Sequence, residues 1–517
     1  MPTRITTGFG FAVLGALAAF AFALRVHDLS ARPMHTDEAV QAVILGRLVD
    51  DSVYRYDPTE YHGPSLHYAA RAVAAVAGQR TTAELTETVL RLVSVLFGVG
   101  LFGWLALWRE ELGWPAVWWA ALFMAISPIQ LVYHRYFIHE PLLVLAGFGL
   151  LTCAMRYLRV PRPGWAIGAG ICAGLMHATK STAVFLWVAL LIAALVLGGI
   201  EYLRARRAGR PWSCPLSPAH AGWAVLAAVA VSVLLYSSFF THPAGVVDSV
   251  ATYFHFADRA TGQGHEKPWF THLAWIGWTR SGGFVWSEAL LLALAAAGVA
   301  LSRPWKPGTP LFPGLGTPFL GLVAVVWIAL YSLTPYKTPW LMLGPMQLVA
   351  LLAGSGAAAL CAWPRVRWAQ ALIGLLLLAG SFQLGRQAHR AAFRFAADER
   401  VPYVYSHTSR SAVALAERIH RMTAWLEEPE RVIQIAGEEY WPLPWYLRDL
   451  EKVGYWNTLP EMLVAPIIVL DPLLSRAAEE QLKETHVPQW AGMRPGVLVV
   501  AWYRKDLWAD EVQRRDR

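Results

Sequence analysis

The segment His35-Thr36-Asp37-Glu38-Ala39 lies shortly after the first long apolar run of the chain. Apolar residues then recur at a spacing of four, at Val40, Ile44 and Leu48, which predicts an amphipathic helix. Thr36 or Asp37 is expected to cap this helix, because its positive end favours side-chain oxygens and carboxylates. Two interpretations stay open: a helix start on a membrane surface, or a catalytic carboxylate. In the second, Asp37 faces a water-filled cavity and accepts a proton from a substrate hydroxyl.

The composition is that of a membrane protein. Of the 517 residues, 56 % are hydrophobic and only 15 % are charged, whereas soluble proteins carry charge on about a quarter of their residues. Apolar runs long enough to span a bilayer recur along the chain. The four cysteines have neither metal-like nor disulfide-like spacing and are expected to pack in the core. The net charge of +8 gives no reason to expect nucleic acid as a partner.

Eleven membrane spans are predicted, and the N-terminal apolar run is expected to be retained as the first span. The spans lie near 8–26, 88–108, 114–132, 141–158, 164–180, 182–202, 220–240, 284–301, 316–334, 341–361 and 369–385. Alternation of the spans gathers the basic loops on one side, which the positive-inside rule assigns to the cytoplasm. These loops contain Arg4, Arg156, Arg159, Arg162, Arg204, Arg206, Arg207, Arg210, Arg303, Lys306, Arg365 and Arg367.

The polar clusters that could carry chemistry all fall on the opposite, extracytoplasmic side. The first loop, 27–87, holds Asp37, Glu38, Asp57 and Glu60. The turn His62-Gly63-Pro64 precedes a second amphipathic stretch from Ser65 to Ala77, so two helices are expected along the membrane surface. Lys180 and Lys337 stand at the outer ends of apolar spans. Each either reaches up to the lipid headgroups or meets an anionic ligand.

Residues 386–517 are charged and mixed, and predict a small extracytoplasmic α/β domain after the transmembrane domain 1–385. A helix is expected at 411–426, strands at 432–436, 467–470 and 497–503, and a helix near 476–484. The aromatic run 440–449, with Trp441 and Trp445, suits either stacking on sugar rings or packing against the membrane domain.

This layout resembles the GT-C glycosyltransferases, polytopic enzymes that take sugars from polyprenyl-phosphate carriers. Protein O-mannosyltransferases and lipid A aminoarabinose transferases belong to that superfamily. The resemblance rests on the Asp-Glu pair opening the first outer loop, on its two surface helices, and on the turn at 62–64. The strings YKTPW at 336–340 and WPLPWYLRD at 441–449 look most like the branch named flippase-activity-associated membrane proteins.

The resemblance implies an inverting sugar transfer on the outer face of the cell (inner) membrane. Asp37 would be the general base, with Glu38 beside it, and Glu140 would stand where the family has a second acidic residue, usually Asp. Cationic groups would stabilise the leaving phosphate in a low-dielectric site. The donor phosphate is expected at Lys180, Lys337, Arg135 and Tyr336, and the sugar or acceptor at His62, Trp340, Trp441 and Trp445.

The expected ligands are a polyprenyl-phosphate-linked sugar and a lipid, glycan or protein acceptor. No cofactor is required, although His35 and His139 could hold a divalent metal together with the carboxylates. A non-enzymatic alternative stays open: a flippase component or accessory protein that binds the lipid-linked sugar without breaking a bond. A transporter should keep polar groups at mid-membrane depth, and the predicted spans are almost free of charge, which favours the enzyme.

Overall fold

The computed structural model describes residues 6–59, 62–212, 214, 216–259, 266–302 and 316–515. Arg4, Glu60, Arg303 and Lys306 lie outside the described residues. In chain order the α-helices are α1 (Thr7–Val26), α2 (Thr36–Asp51), α3 (Ser65–Val76), α4 (Glu87–Leu107), α5 (Arg109–Leu112), α6 (Trp114–Ile126), α7 (Pro128–Tyr133), α8 (Glu140–Arg159), α9 (Pro163–His177), α10 (Ala183–Arg207), α11 (Pro218–Tyr236), α12 (Ala244–Arg259), α13 (Thr271–Gly277), α14 (Ala289–Ala300), α15 (Gly316–Leu333), α16 (Leu343–Ala362), α17 (Arg367–His389), α18 (Arg410–Thr423), α19 (Leu443–Tyr446), α20 (Pro472–Leu482) and α21 (Lys505–Arg515).

Each predicted span contains a helix, but the span predicted at 284–301 begins with a strand, Phe284–Trp286, and its helix starts at Ala289. Eight helices among the described residues are long and apolar enough to cross a membrane. Three predicted spans are shorter helices: α9, α14, and α6, which Ser127 separates from α7. The break follows from Pro128, because proline lacks an N–H and pushes the residue before it towards extended backbone; Ser127 has φ −61° and ψ 129°.

The spans alternate in direction, so the bundle has two distinct ends. We call the end at which α1 finishes and α4 begins the site end. At the opposite end, Arg156 donates to Glu110 at 2.5 Å and Arg159 donates to Glu111 at 3.0 Å. The described basic loops therefore share one end of the bundle, and the first loop occupies the other.

The first loop forms the two predicted surface helices, α2 and α3. They pack on each other, on the start of α4 and on α19 around a core that includes Leu45, Leu48 and Leu66. The predicted cap of α2 was wrong: the N-cap is His35, whose ring Nδ1 accepts the N–H of Asp37 at 3.0 Å. Glu38 completes the cap by accepting the N–H of His35 at 2.9 Å.

The C-terminal segment folds into the predicted α/β domain. A hairpin of β1 (Thr279–Ser281) and β2 (Phe284–Trp286) comes earlier in the chain, and the strands of the domain are β3 (Ile433–Ala436), β4 (Val453–Trp456), β5 (Ile467–Leu470), β6 (His486–Arg494) and β7 (Val497–Arg504). The sheet of the domain has the strand order β4-β3-β5-β7-β6, with β3 parallel to β4 and β5, and with β7 antiparallel to β5 and β6. Strands β4 and β6 were not predicted from the sequence, because they are the two edge strands and are less apolar than the buried central ones.

The aromatic run 440–449 holds this domain against the first loop. Trp445 is buried, and its ring N–H donates to Glu87 at 3.2 Å. Arg448 stacks on Trp445 at 3.8 Å and donates to the carbonyl of Leu85 at 2.7 Å. The hydroxyl of Tyr446 accepts the N–H of Met34 at 2.7 Å. In this structure the run is an interdomain contact.

We expect Trp445→Ala to lower the free energy of unfolding by about 3–5 kcal/mol, the usual cost of removing a buried aromatic side chain. Thermal unfolding of the purified protein in detergent measures the change. Trp490→Ala, at a position 64 % exposed on β6, is the matched control and should change it by less than about 0.5 kcal/mol. Equal effects of the two substitutions would contradict the docking role of Trp445.

Candidate active site

A cavity of about 290 Å³ opens at the site end of the bundle. We call it the central cavity. It is built from the first turn of α2, the turn before α3, the start of α8, the α9–α10 turn and the end of α15. Its lining residues are Asp37, Val40, Gln41, His62, Ile138, His139, Glu140, Lys180, Ser181, Thr182, Phe185, Tyr331, Thr334, Tyr336, Trp340 and Leu341. An apolar wall with a few converging charges is typical of a ligand site.

Asp37 presents its carboxylate to the central cavity. Its side chain is 47 % exposed, and its Oδ1 lies 3.9 Å from Nδ1 of His35. Because Nδ1 of His35 accepts the Asp37 N–H, the ring proton is on Nε2, which donates to the carbonyl of Tyr405 at 2.9 Å. His35 therefore fixes the backbone of Asp37 and leaves its carboxylate available to a ligand.

Glu38 has the opposite environment, although it is the next residue. Its side chain is fully buried and pairs with two guanidinium groups. Arg91 donates from Nε and Nη2 to the carboxylate oxygens of Glu38 at 2.9 and 3.0 Å, and Nη1 of Arg32 lies 2.9 Å from Oε2 of Glu38. The N–H of Phe137 adds a further bond at 2.9 Å. Burial alone would raise the pKa of Glu38, but Arg32 and Arg91 outweigh it and hold the pKa well below 4.5.

Glu140 and Lys180 meet in the wall of the central cavity. Lys180 Nζ donates to Glu140 Oε1 at 2.5 Å, and both side chains are buried. Glu140 is the first residue of α8, where the helix dipole favours a carboxylate. Lys180 lies in the turn between α9 and α10. An ammonium group has three N–H donors, so this pair leaves Lys180 able to bind an anion.

The turn at His62-Gly63-Pro64 fastens the first loop to the turn that carries Lys180. The Gly63 N–H donates to the carbonyl of Thr179 at 3.0 Å, and the Ser65 N–H donates to that of Ala178 at 3.1 Å. A Cβ on Gly63 would overlap the Ala178 carbonyl, so only glycine permits this approach. His62 thereby lines the central cavity beside Lys180.

Histidine rings surround this contact. His139 packs edge-on against His62, with centroids 5.0 Å apart, and its Nε2 donates to the carbonyl of Gly63 at 3.0 Å. Burial, then His67 and Lys180, keeps the pKa of His139 well below 6.5. Burial also lowers the pKa of His67 to about 3. Across the described residues, no group of three His, Cys, Asp or Glu side chains is arranged to hold a metal ion.

Aromatic side chains form much of the rest of the lining of the central cavity. Trp340, which was predicted to bind the sugar, and Tyr336, which was predicted to bind the phosphate, are both lining residues. Trp340 packs edge-on against His35, with ring centroids 5.7 Å apart, and against Tyr405, with centroids 5.9 Å apart. Phe185 and Tyr331, whose ring centroids lie 4.7 Å apart, add apolar surface. The lining thus combines aromatic surface with a few charged groups.

Several predicted site residues do not line the central cavity. Arg135 donates to backbone carbonyls at the end of α1, those of Leu24, Arg25, His27 and Asp28. Lys337 donates to the carbonyls of Tyr331, Ser332 and Thr334 at the end of α15. Glu38, His35, Trp441 and Trp445 also lie outside its lining. In the structure, these cations and aromatics hold the scaffold together.

Two residues that were not predicted from the sequence lie near Asp37. Both come from the C-terminal domain. Burial lowers the pKa of Arg494, and the nearby charge of Asp37 partly offsets this effect. Burial, then Asp37 and Glu266, raises the pKa of Tyr405. Arg494 also pairs with Glu439. No local signal marks either residue, because hundreds of residues separate them from Asp37 in the chain.

The sequence and the fold are each similar to those of known proteins. Residues 61–208 match the family model described as dolichyl-phosphate-mannose-protein mannosyltransferase. The structure is similar to that of ArnT from Cupriavidus metallidurans bound to undecaprenyl phosphate, at a TM-score of 0.63 and 15 % identity, over 97 % of this chain and 99 % of that one. It is also similar to the oligosaccharyltransferase AglB of Archaeoglobus fulgidus in complex with dolichol-phosphate, at a TM-score of 0.56 and 12 % identity, over 92 % of this chain and 70 % of that one. No curated protein sequence matches the chain.

The predicted GT-C-like fold is therefore confirmed. The chain is a multi-pass membrane protein with a C-terminal sheet domain. At these identities the likeness extends to the architecture alone.

We expect Glu38→Gln to lower the free energy of unfolding by about 3–5 kcal/mol, because it leaves two buried guanidinium groups without their shared carboxylate. Asp37→Asn, one residue away and half exposed, should change it by less than about 1 kcal/mol. Thermal unfolding of both purified variants beside the parent protein makes the comparison. A Glu38→Gln protein as stable as the parent would contradict the structural role of Glu38.

The same network predicts a dependence of stability on pH. The pKa of Glu38 is lowered on folding, so its contribution is complete above the unfolded-state pKa and is lost as pH falls towards the folded-state value. The parent protein should therefore lose stability on acidification below pH 4.5 more steeply than Glu38→Gln does. Parallel curves for the two proteins in acid would show that another group is responsible.

We expect Gly63→Ala to disturb the contact with the turn that carries Lys180, because the added Cβ overlaps the Ala178 carbonyl. The free energy of unfolding should fall by about 1–3 kcal/mol, the usual cost of overpacking a buried contact. Gly198→Ala, where an added Cβ meets open space within α10, is the matched control and should not lower it. Thermal unfolding of the purified proteins measures the change. A Gly63→Ala protein as stable as the parent would contradict the fastening role of this turn.

Proposed function

We propose that this protein is a glycosyltransferase that moves a sugar from a polyprenyl-phosphate carrier to a hydroxyl group of a lipid, glycan or protein acceptor. The observation that carries the proposal is that a half-exposed carboxylate, Asp37, and an ammonium group, Lys180, open onto one cavity at the site end of the bundle. Sugar transfer from a lipid phosphate needs both: a base for the acceptor and a cation for the departing phosphate.

The proposed step is a single displacement at the anomeric carbon. The acceptor oxygen forms a bond to that carbon, while the bond from the carbon to the phosphate oxygen breaks. The acceptor proton passes to the Asp37 carboxylate, and the lipid phosphate leaves with the bonding electron pair. Attack from the face opposite the leaving group inverts the anomeric centre. This displacement forms no covalent intermediate with the protein.

Lys180 is assigned to the phosphate, and Glu140 holds it in place. The 2.5 Å contact with Glu140 uses one N–H of the ammonium group, which leaves two N–H donors for a ligand. Low exposure strengthens the attraction between Lys180 and a phosphate, because little water screens it. Tyr336, which also lines the central cavity, is a second candidate phosphate contact. Lys337 is left out of this set because its ammonium group is committed to three carbonyls.

The walls of the central cavity fit the rest of the donor. Phe185 and Tyr331 offer an apolar lining towards the spans, where a polyprenyl chain would lie. Trp340 and His62 also line the central cavity, and a sugar ring can stack on such aromatic faces. The acceptor would approach Asp37 from the side of the C-terminal domain, past Tyr405 and Arg494.

The orientation of this site is also a proposal. The described Arg-rich loops lie at the end of the bundle opposite the central cavity, and such loops usually remain in the cytoplasm. The central cavity and the C-terminal domain would then face the extracytoplasmic side of the cell membrane. A polyprenyl-phosphate sugar would reach the site from the outer leaflet.

We expect Asp37→Asn to stay folded and to bind the donor, while its turnover falls about 100-fold or more for want of a general base. Purified protein is incubated with polyprenyl-phosphate sugars, and release of the free lipid phosphate is followed. Lys180→Met should weaken donor binding, and Lys180→Arg should restore part of it because the charge survives with a different geometry.

The same assay separates the enzyme from a non-enzymatic flippase component. A flippase component would bind the donor through Lys180 but release no free lipid phosphate from any donor and acceptor pair. Turnover by Asp37→Asn at the parental rate would contradict Asp37 as the base. In that case Asp37 would be only part of the first turn of α2.

A further inference from the structure

A second pocket, of about 220 Å³, lies at the site end on the other side of the Glu38 network. It is enclosed by the loop after α1, the segment after α17 and the start of α18. Its charged lining residues are Arg32, Arg135, Arg394, Arg410, Asp28 and Asp398. We call it the arginine pocket. It shares none of its lining residues with the central cavity.

The buried arginines of the arginine pocket belong to a cluster in which guanidinium groups outnumber carboxylates. Arg32 and Arg91 share Glu38, and Arg91 also lies 3.6 Å from Glu87. Arg135, which is 5 % exposed, has backbone carbonyls as its hydrogen-bond acceptors.

Arg25 adds a fourth guanidinium group to this cluster. It is buried and donates to the carbonyls of Ala21, Met124 and Ala125. Among the described residues, four guanidinium groups therefore accompany two carboxylates. Burial, reinforced by Arg32 and Arg91, lowers the pKa of Arg135 to about 9, as expected where positive charge is in excess.

The acidic residues of the arginine pocket do not correct this excess. Asp398 is held by Arg400, whose Nε lies 2.9 and 3.0 Å from its two oxygens. Asp28 offsets the positive charge at Arg135 only in part, because its side chain is 62 % exposed beside His27. Arg394 and Arg410 are both exposed at the rim. An anion entering between them would approach Arg135 and reduce the repulsion within the cluster.

The position of the arginine pocket in the bundle indicates what kind of anion it meets. Its walls follow directly on the last residues of two membrane-spanning helices, α1 and α17. A π-helical turn, Arg390–Arg394, continues α17 into the wall. Basic residues that directly follow a membrane span lie at the depth of lipid headgroups. Phe393 and Phe395 in the same wall offer contact to acyl chains.

We propose that the arginine pocket binds the phosphate headgroup of an anionic membrane phospholipid. The phosphate would sit between Arg394 and Arg410 at the rim, over Arg135. This lipid is separate from the sugar carrier in the central cavity, and the proposal does not depend on sugar transfer. Because Arg32 joins the arginine pocket to Glu38, the bound lipid would also steady the start of α2, where Asp37 lies.

Native mass spectrometry of the full-length protein tests this proposal. The protein is released from micelles that contain phosphatidylglycerol or, in parallel, phosphatidylcholine. We expect the parent to retain phosphatidylglycerol selectively. Arg394→Gln combined with Arg410→Gln should weaken that retention about 30-fold, the effect of losing two charges near an anionic headgroup. Arg476→Gln combined with Lys505→Gln removes the same charge from exposed positions elsewhere in the C-terminal domain and should leave retention unchanged.

Three further arms identify the site and the source of the phosphate. Lys180→Met should retain phosphatidylglycerol normally; loss in this variant would place the lipid in the central cavity and overturn the proposal. Equal retention of phosphatidylcholine, or unchanged retention after both rim substitutions, would also overturn it. If excess inorganic phosphate displaces the lipid completely, the arginine pocket takes free phosphate and the lipid assignment is wrong. Gel filtration checks that each variant is folded.

Discussion

The carboxylate of Glu38 is the interaction on which the rest of the site depends. It joins the first loop, α4 and the segment between α7 and α8 by accepting hydrogen bonds from Arg32, Arg91 and the backbone of Phe137. A buried ion pair of this kind stabilises little against an apolar alternative, but removing one partner is costly. Its main effect here is geometric, because it fixes the first turn of α2 and thereby the direction of the neighbouring carboxylate. Two adjacent acids thus have separate tasks, one in the scaffold and one at the cavity.

The organisation of the chain could be predicted because apolar runs and Lys/Arg asymmetry are strong local signals. Asp37, Glu140 and Lys180, which were predicted for the site, line one cavity. Glu140 and Lys180 stand at the ends of spans, where a charge needs a reason, and Asp37 opens the amphipathic helix of the first loop. Such signals could not predict whether Arg135 and Lys337 bind backbone carbonyls or a ligand. A cation at a helix end has the same sequence signature whether it binds backbone carbonyls or a ligand, and only the folded chain distinguishes the two.

Other misses have physical causes as well. The cap of α2 comes from His35, whose ring nitrogen takes the place of the usual side-chain oxygen, so cap statistics pointed to Thr36 or Asp37. The edge strands β4 and β6 carry a mixed pattern because one side of each meets solvent. Tyr405 and Arg494 reach Asp37 only through the docking of the C-terminal domain, and no spacing along the chain encodes that contact.

The docking of Trp445 against the first loop has a consequence for biosynthesis. A chain emerging from the ribosome makes α2 early, but Glu38 has no guanidinium partner in α4 until the helix that carries Arg91 has been inserted. Tyr405 and Arg494, which approach Asp37 from the C-terminal domain, arrive later still, and the Trp445 contact forms only when nearly the whole polypeptide has been made. Unfinished chains would therefore lack these two neighbours of Asp37. Under the proposed function, assembly order alone would keep truncated products from acting on a donor.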